Sequence, residues 1–441
     1  MKKLSFAEMR AFRADQLAFM MQTALTMGGV AHLQMLGMNI FIISEPAVTR
    51  ELLLHHGHQM HRDPFVSRVF RRFMGNGVFV AEGKSWQRQR KLMQPAFHAL
   101  RIRNYADTMA AYTQEMVAGW QPGQTVAINN ELTQLTLRII AKTMFGVDLL
   151  TQTAALGALM QEILTIGEAQ LKKTFLPPTW LPTSDNRRQQ RALRQVKALL
   201  RQIIQERRLS AVDQGDLLSM LLAARDENDQ PMSEQQLLDE CVTLFVAGHE
   251  TTAAALTWAW YLLAQHRDVL AQLCAEVQDV VGDTAVTFDH LPQMPLLEAV
   301  IKETLRLYPP AFAFGRSVLE PFSANGTHFP QGSVILFSVY ATHHRPDLWP
   351  QPEAFQPARF LDKENGPDRY TYLPFGAGAR ICLGNMFAMM EAQVILATMV
   401  QHVTLALAAT EAVVLDTVIT LRPQDPLRLS VQPVAAFAEL P

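Results

Sequence analysis

Residues 375–384 read Phe-Gly-Ala-Gly-Ala-Arg-Ile-Cys-Leu-Gly, three glycines wound around a single cysteine. Glycine accepts backbone angles that a Cβ forbids, so this stretch can follow a tight path around Cys382. Arg380, two residues earlier, favours the thiolate over the thiol. Backbone N–H groups of a glycine loop can also donate to sulfur. An apolar helical pattern, Met386 to Met399, begins just beyond. A sulfur at a helix N-terminus is stabilised as an anion by the helix dipole. The residues therefore describe a preorganised single-thiolate ligand, against the competing reading of a buried, inert thiol at a helix start. Zinc is poorly served without a second Cys or His nearby. Haem needs only one strong protein ligand, and a cysteine thiolate is one it accepts.

Around this loop the chain has 441 residues, 49% hydrophobic and 18% charged, which excludes a disordered polypeptide and leaves material for a large core. At ~150 residues per domain the length alone suggests about three domains. Lys+Arg 39 against Asp+Glu 41 gives a net charge of −2, too acidic for a globally nucleic-acid-binding protein. The 3 cysteines, Cys241, Cys274 and Cys382, are odd in number and sparse. They argue against a disulfide framework and for a reducing compartment, the cytoplasm. Glu8, Arg10, Arg13 and Asp15 interrupt any apolar run after Met1-Lys2-Lys3, so no signal-peptide core follows. Residues 16–44 carry no formal charge, but Gln22, His32, Gln34, Asn39 and Gly28-Gly29 argue against a spanning helix. They read as a short helix, a glycine turn and a strand near Met38–Ser44. No transmembrane anchor is expected.

Helical periodicity dominates residues 46–56, 84–118, 130–146, 186–226, 233–266, 268–281 and 295–307, with β-like runs at 77–80, 333–339, 413–421 and 427–432. Pro177-Pro178 and Pro182 mark a loop between helical stretches. The proline-rich stretch Pro346 to Pro374 is long for a loop, and long ordered loops are usually functional. Ser233 with Gln236 forms a candidate capping box. The helix starting there runs to about His266, some ~51 Å. Its centre, Ala247-Gly248-His249-Glu250-Thr251-Thr252, breaks the rules for a buried helix: Gly weakens it, and His and Glu are expensive to bury. Such a violation suggests function; the alternative is that His249 and Glu250 lie on an exposed stripe.

The pattern Phe375-x-x-Gly378-x-Arg380-x-Cys382-x-Gly384 resembles the haem-binding loop of the cytochrome P-450 superfamily, and further motifs follow in that family's order. Glu303-x-x-Arg306 resembles its Glu-x-x-Arg pair. Pro357-Ala358-Arg359-Phe360 resembles the segment that supplies a second arginine to that pair. Ala247-Gly248-His249-Glu250-Thr251 resembles its oxygen-binding groove, and Trp86-x-x-x-Arg90 its haem-contacting helix. The resemblance covers about residues 40 to 435. It implies one large domain over 1–441, mainly α with small β-sheets, of the soluble bacterial type and with no fused reductase.

The resemblance implies haem b (heme, iron protoporphyrin) ligated by Cys382. Trp86, Arg90, Ala247, Arg316, Phe375, Arg380 and Gly384 would contact it, with Arg90, Arg316 and Arg380 neutralising the propionates by charge-assisted hydrogen bonds and Phe375 tuning the iron. Arg316 is placed only by its distance past Arg306. Thr251 and Glu250 would relay protons, while Gly248 with Ala247 would let the helix open for dioxygen. Glu303, Arg306 and Arg359 would have a structural role; the alternative for the first two is an ordinary surface ion pair. His249 has no assigned role, and Cys241 and Cys274 read as core thiols.

Between Arg68 and Arg103 stand nine Lys/Arg and one acid, Glu82. They suggest a docking face for an acidic ferredoxin or flavodoxin-type electron donor, served by its own reductase and indirectly by NAD(P)H, or else a solvated face. Arg187 to Arg208 is a second basic run, for anionic substrate, a membrane surface or solvent. By resemblance, residues 63–80, 156–180, 244–247 and 311–314 face substrate, and Phe65, Phe79, Phe312 and Phe314 suggest an apolar pocket. The expected activity is insertion of one atom of dioxygen into a lipophilic fatty acid, terpenoid or polyketide-like substrate. The rivals are a peroxide-using or rearranging haem-thiolate enzyme, which usually lacks the acid–alcohol pair, and a non-enzymatic haem sensor or carrier.

Overall fold

Runs rich in β-branched and aromatic residues lie far apart in the chain, at 30–43 and 313–338, and they pair in space. The computed structural model describes residues 2–35, 37–97, 103–148, 153–173, 176–210, 213–362, 366–408 and 413–433. Its contacts divide into two compact units, each discontinuous in sequence.

The first unit comprises Met1–Phe65, Glu298–Asn385 and Val413–Gln424. Its main sheet has six strands in the order Lys2–Lys3, Val30–Met35, Met38–Ile43, Val334–Ser338, Ala313–Val318, Met60–Arg62. Met38–Ile43 runs parallel to Val334–Ser338, with Ile40 opposite Val334. Met60–Arg62 closes one edge antiparallel, with Arg62 opposite Arg316. Phe41, Ile43, Ile335, Phe337 and Phe329 are buried against it. The helix Pro46–His55 starts at its proline, as the sequence suggests. The helix Pro295–Leu307 carries Glu303 and Arg306.

The second unit comprises Val66–Leu297, Met386–Ala412 and Asp425–Pro441, and it is mostly helical. Its axis is the helix Glu234–Gln265. Ser233 caps it, accepting the Gln236 N–H at 3.2 Å. The Gln236 side chain instead accepts from Arg88 Nη1 at 2.9 Å, so only half of the capping box forms. This helix packs on Ile128–Phe145, with Phe145 and Phe245 stacked 4.5 Å apart. A Cβ on Gly248 would lie 2.5 Å from Ile140 Cδ1, so the missing side chain admits the neighbouring helix. A three-stranded sheet, Val403–Leu407, Arg428–Pro433 and Thr125–Ala127, completes the unit.

Several elements differ from the periodicity. The run 84–118 breaks into Gly83–Met93, a tight turn Gln94–Phe97 and Ala106–Ala118; Pro95 cannot donate to a continuing helix. The run 186–226 breaks into Ser184–Ser210 and Leu217–Ala223, where Asp216 caps the new helix through Ser219 N–H at 2.9 Å. Residues 413–421 belong to a hairpin of Leu415–Thr417 with Leu421–Pro423. The run 77–80 is a turn, closed by Val80 N–H donating to Gly77 O at 3.0 Å and flanked by backbone donors that carboxylates take. Asn76 N–H donates to Asp239 Oδ2 at 2.9 Å and Val78 N–H to Glu240 Oε2 at 2.8 Å.

Gly75 has φ +66° and its absent Cβ would fall 2.1 Å from the Asp239 carboxyl carbon. Gly75→Ala should therefore destabilise the protein by about 1–3 kcal/mol in chemical denaturation, through positive-φ strain plus overpacking.

Candidate active site

The cysteine loop is built by short local bonds. Gly376 N–H donates to Leu373 O at 3.0 Å, and Cys382 N–H donates to Phe375 O at 2.9 Å. Gly376 and Gly378 adopt φ +68° and +70°, the left-handed region expected of these glycines. A Cβ on Gly378 would meet Leu53 O at 3.1 Å, so this glycine also admits the helix Pro46–His55. Arg380 ends a one-turn 3₁₀ helix at Gly378–Arg380, and Gly384 precedes the helix Asn385–His402.

Exposure separates the three cysteines. Cys382 is exposed, Cys274 intermediate and Cys241 buried. Burial pushes the Cys274 thiol up to about 11 and the Cys241 thiol higher still, so both stay protonated and inert. The reading of Cys382 as a buried thiol is thereby excluded. One accessible sulfur in a rigid loop, beside Arg380, fits a group that brings its own equatorial ligands, as haem does. Among the described residues no three or more His, Cys, Asp or Glu gather to hold a bare ion.

Behind the loop lies a buried ion-pair network. Arg306 and Glu303 side chains are 0% exposed and bind bidentately, Nε to Oε2 and Nη2 to Oε1, each 2.8 Å. The remaining Arg306 donors go to the carbonyls of His343, Pro352 and Ala354. Arg359 Nε reaches Glu303 Oε1 at 3.3 Å, and Gln356 N–H donates to the same oxygen at 2.9 Å. Every charge is thus paired or hydrogen-bonded, as burial requires. The surface-pair alternative does not hold. Arg316 is also buried, on strand Ala313–Val318, with Nη1 donating to Gly315 O at 2.8 Å.

In the second unit, His249, Glu250 and Thr252 are buried while Ala247 is exposed and Thr251 partly so. The stripe alternative therefore fails, and the accessible face of this turn is Ala247 with Thr251, four residues apart. Thr251 Oγ1 donates to Ala247 O at 2.9 Å, Thr252 Oγ1 to Gly248 O at 3.3 Å, and Thr136 Oγ1 to His249 O at 2.9 Å. Three successive carbonyls thus receive a hydroxyl, a pattern that loosens and bends helices. The His249 ring bonds Phe245 O and is held neutral by burial. On helix Gly83–Met93, the Arg90 guanidinium lies 6.0 Å from the Trp86 ring centre. Trp86, Gln87, Arg90, Lys91, Gln94 and Pro95 line a hollow of about 550 Å³.

Sequence reasoning missed two groups. Glu391 is fully buried in Asn385–His402, and burial pushes its carboxyl up to about 8 despite the Thr252 hydroxyl beside it. The signal was a single carboxylate inside an otherwise apolar helical pattern. His343, also fully buried, bonds both Arg306 and Leu373; nothing in its sequence position marks it.

The basic run 68–103 is largely engaged inside its own unit. Arg88 pairs with Asp226, Lys91 with Glu227 and Arg103 with Asp289, while Arg71 and Arg72 bind the carbonyls of Val80 and Pro177. Arg101 lies outside the described residues. In the run 187–208, Arg207 forms a buried pair with Asp216, Arg188 pairs with Glu162 and Lys197 with Asp239. No helix among the described residues is long and apolar enough to cross a membrane.

A family model described as cytochrome P-450 matches residues 6–430. The chain is 35% identical to cyclooctat-9-en-7-ol 5-monooxygenase of Streptomyces melanosporofaciens, over 81% of this chain and 78% of that one. It is 31% identical to pentalenene oxygenase of Streptomyces avermitilis, over 82% and 81%. The solved structure of cyanobacterial CYP120A1 with retinoic acid bound superposes with a TM-score of 0.83, at 28% identity and 93% coverage of each chain.

Two outcomes follow from this geometry. Glu303→Gln leaves the Arg306 charge buried with weakened pairing and should cost about 3–5 kcal/mol of unfolding free energy. Glu391 binds its proton more tightly folded than unfolded, from an ordinary 4.5 up to about 8. Its contribution therefore weakens stability as pH rises through that window and is constant above it. Thermal midpoints measured against pH should fall less steeply between those values in Glu391→Gln than in the parent.

Proposed function

The chain belongs to the cytochrome P-450 family, a family of oxidoreductases and monooxygenases, and from that premise we propose a haem-thiolate monooxygenase acting on terpenoid-like small molecules. The observation that carries it is the one accessible thiol, Cys382, set in a glycine loop whose two fellow cysteines are buried or half-buried. The names of the two Streptomyces relatives support a terpenoid over a fatty acid or polyketide. Their electron donors are not part of those names; a separate ferredoxin or flavodoxin-type protein is our reading, as is a cytoplasmic location, supported by three free thiols. The family model spans both structural units, which supports a single catalytic domain.

When bound, haem supplies dioxygen activation and oxygen-atom transfer, chemistry that no side chain possesses. Cys382 would hold it through its sulfur, the one accessible thiol of the chain's three cysteines. Arg316, Arg380 and Arg90 would hold the propionates, matching carboxylates with forked donors, and Trp86 would contact the haem. Phe375, Ala247 and Gly384 would contact the ring.

The chain's own contribution to chemistry is proton handling. Thr251 is accessible, and its hydroxyl donates to Ala247 O while its lone pairs stay able to accept. Glu250, buried on the next position, can pass a proton to it from solvent. Glu391, raised to about 8, is protonated at neutral pH and stands beside Thr252 as a second reserve. This intact acid–alcohol pair favours electron-driven monooxygenation over the peroxide-using reading.

Cys382→Ala should abolish the red-shifted Soret band of the reduced carbon-monoxide complex; persistence of the band would refute the ligand assignment. Thr251→Ala should keep substrate-induced spin shifts but divert roughly tenfold more electrons to peroxide than to product, read by stoichiometry of product against electrons consumed. A spin-shift screen across terpenoid, fatty-acid and macrolide libraries would test the substrate class, and a response confined to the last two would refute it.

A further inference from the structure

His343 stands where three segments of the first unit meet, and both its ring nitrogens are committed. Nδ1 lies 3.1 Å from the carbonyl oxygen of Arg306, which can only accept, so Nδ1 carries the proton. Nε2 lies 2.8 Å from the backbone nitrogen of Leu373, which can only donate, so Nε2 carries the lone pair. One neutral tautomer satisfies both partners. The His343 carbonyl accepts from Arg306 Nη1 at 2.9 Å, so the contact with Arg306 is reciprocal.

The ring is fixed from its faces too. It stacks on Tyr372, with centroids 5.4 Å apart, and meets Trp349 edge-on at 6.4 Å. Tyr372 itself ties back to the helix of Arg306, its hydroxyl donating to Lys302 O at 3.0 Å. Trp349 lies under the Arg306 guanidinium at 5.2 Å. Leu373 is the root of the cysteine loop: its carbonyl accepts from Gly376 N–H, and Phe375, two residues on, accepts from Cys382 N–H. An unbroken line of bonds therefore runs from Glu303 and Arg306 through the imidazole to the loop that carries the thiol.

We propose that His343 is a positioning residue for the Cys382 thiolate, its unprotonated Nε2 pinning the loop root to the buried Glu303–Arg306 pair. The proposal rests on the reading of Cys382 as the haem ligand. Its content beyond that reading is that an acceptor at Nε2, rather than ring bulk, sets the loop.

Three variants separate these. His343→Gln places an amide oxygen near Nε2 and keeps the acceptor. His343→Asn reaches only the Nδ1 position. His343→Phe keeps the ring and its stacking on Tyr372 but has no acceptor. In the reduced carbon-monoxide spectrum, His343→Gln should retain the thiolate band, while His343→Asn and His343→Phe lose about fivefold in the ratio of thiolate to thiol bands. Circular dichroism and bound haem should stay at parental levels in all three. A parental ratio in His343→Phe, or equal losses in His343→Gln and His343→Phe, would overturn the proposal. Should the variants not fold, amide hydrogen exchange of the parent decides: the Leu373 N–H is expected to be protected with the core, and exchange at the rate of exposed loops would sink the idea. If the parent itself lacks the thiolate band, the ligand reading fails, and the same exchange measurement still decides whether His343 holds the loop.

Discussion

A guanidinium and a carboxylate without access to water must find every hydrogen bond inside the protein, and Arg306 with Glu303 does so. Removing two such ions from water costs several kcal/mol each, and only near-complete pairing offsets that cost. The consequence is geometric. Because Arg306 has five N–H donors in a rigid plane, the carbonyls of His343, Pro352 and Ala354 must come to it, and Glu303 draws in Arg359 and the Gln356 backbone. Residues 346–359 are thereby held in place around the pair, with only the one-turn helix Pro357–Phe360 as regular structure. Their backbone is organised around one ion pair, and the cysteine loop follows further along the chain.

The same principle governs the second unit in another form. The helix Glu234–Gln265 buries Asp239, Glu240, His249 and Glu250, none of which a purely structural helix would choose. Asp239 and Glu240 supply acceptors to the backbone of residues 76–78. His249 turns its ring onto the helix backbone. Glu240 is pushed up to about 8 by burial, as Glu391 is, so both carry a proton near neutrality.

Much of the site was legible because its residues are local in sequence. The cysteine loop is ten residues long, the acid–alcohol pair sits within one helical turn, and Glu303 and Arg306 are one turn apart. Local spacing fixes which side chains share a face. The failures were non-local. Residues 77–80 alternate like a strand, yet the Val78 N–H is claimed by a carboxylate more than 160 positions away and the Val80 N–H turns back on Gly77 O. Within the basic run 68–103, Arg88 and Arg103 pair with Asp226 and Asp289, distant partners that the run itself does not reveal. Glu391 was marked only as a lone carboxylate in an apolar helical pattern, and His343 carries no marker in a single sequence, because what singles it out is the company it keeps.

By itself the sequence determined the helical class and the family, and it singled out one of three cysteines, since motif spacing encodes local geometry and local geometry encodes donor type. It did not determine ionisation. Whether a cysteine is reactive, a carboxyl protonated or an arginine available depends on burial and partners, and those are set by packing across hundreds of residues. Only the tertiary structure decided that Cys382 is exposed while Cys241 is buried, that Glu391 holds its proton, and that a neutral imidazole joins the ion-pair core to the cysteine loop.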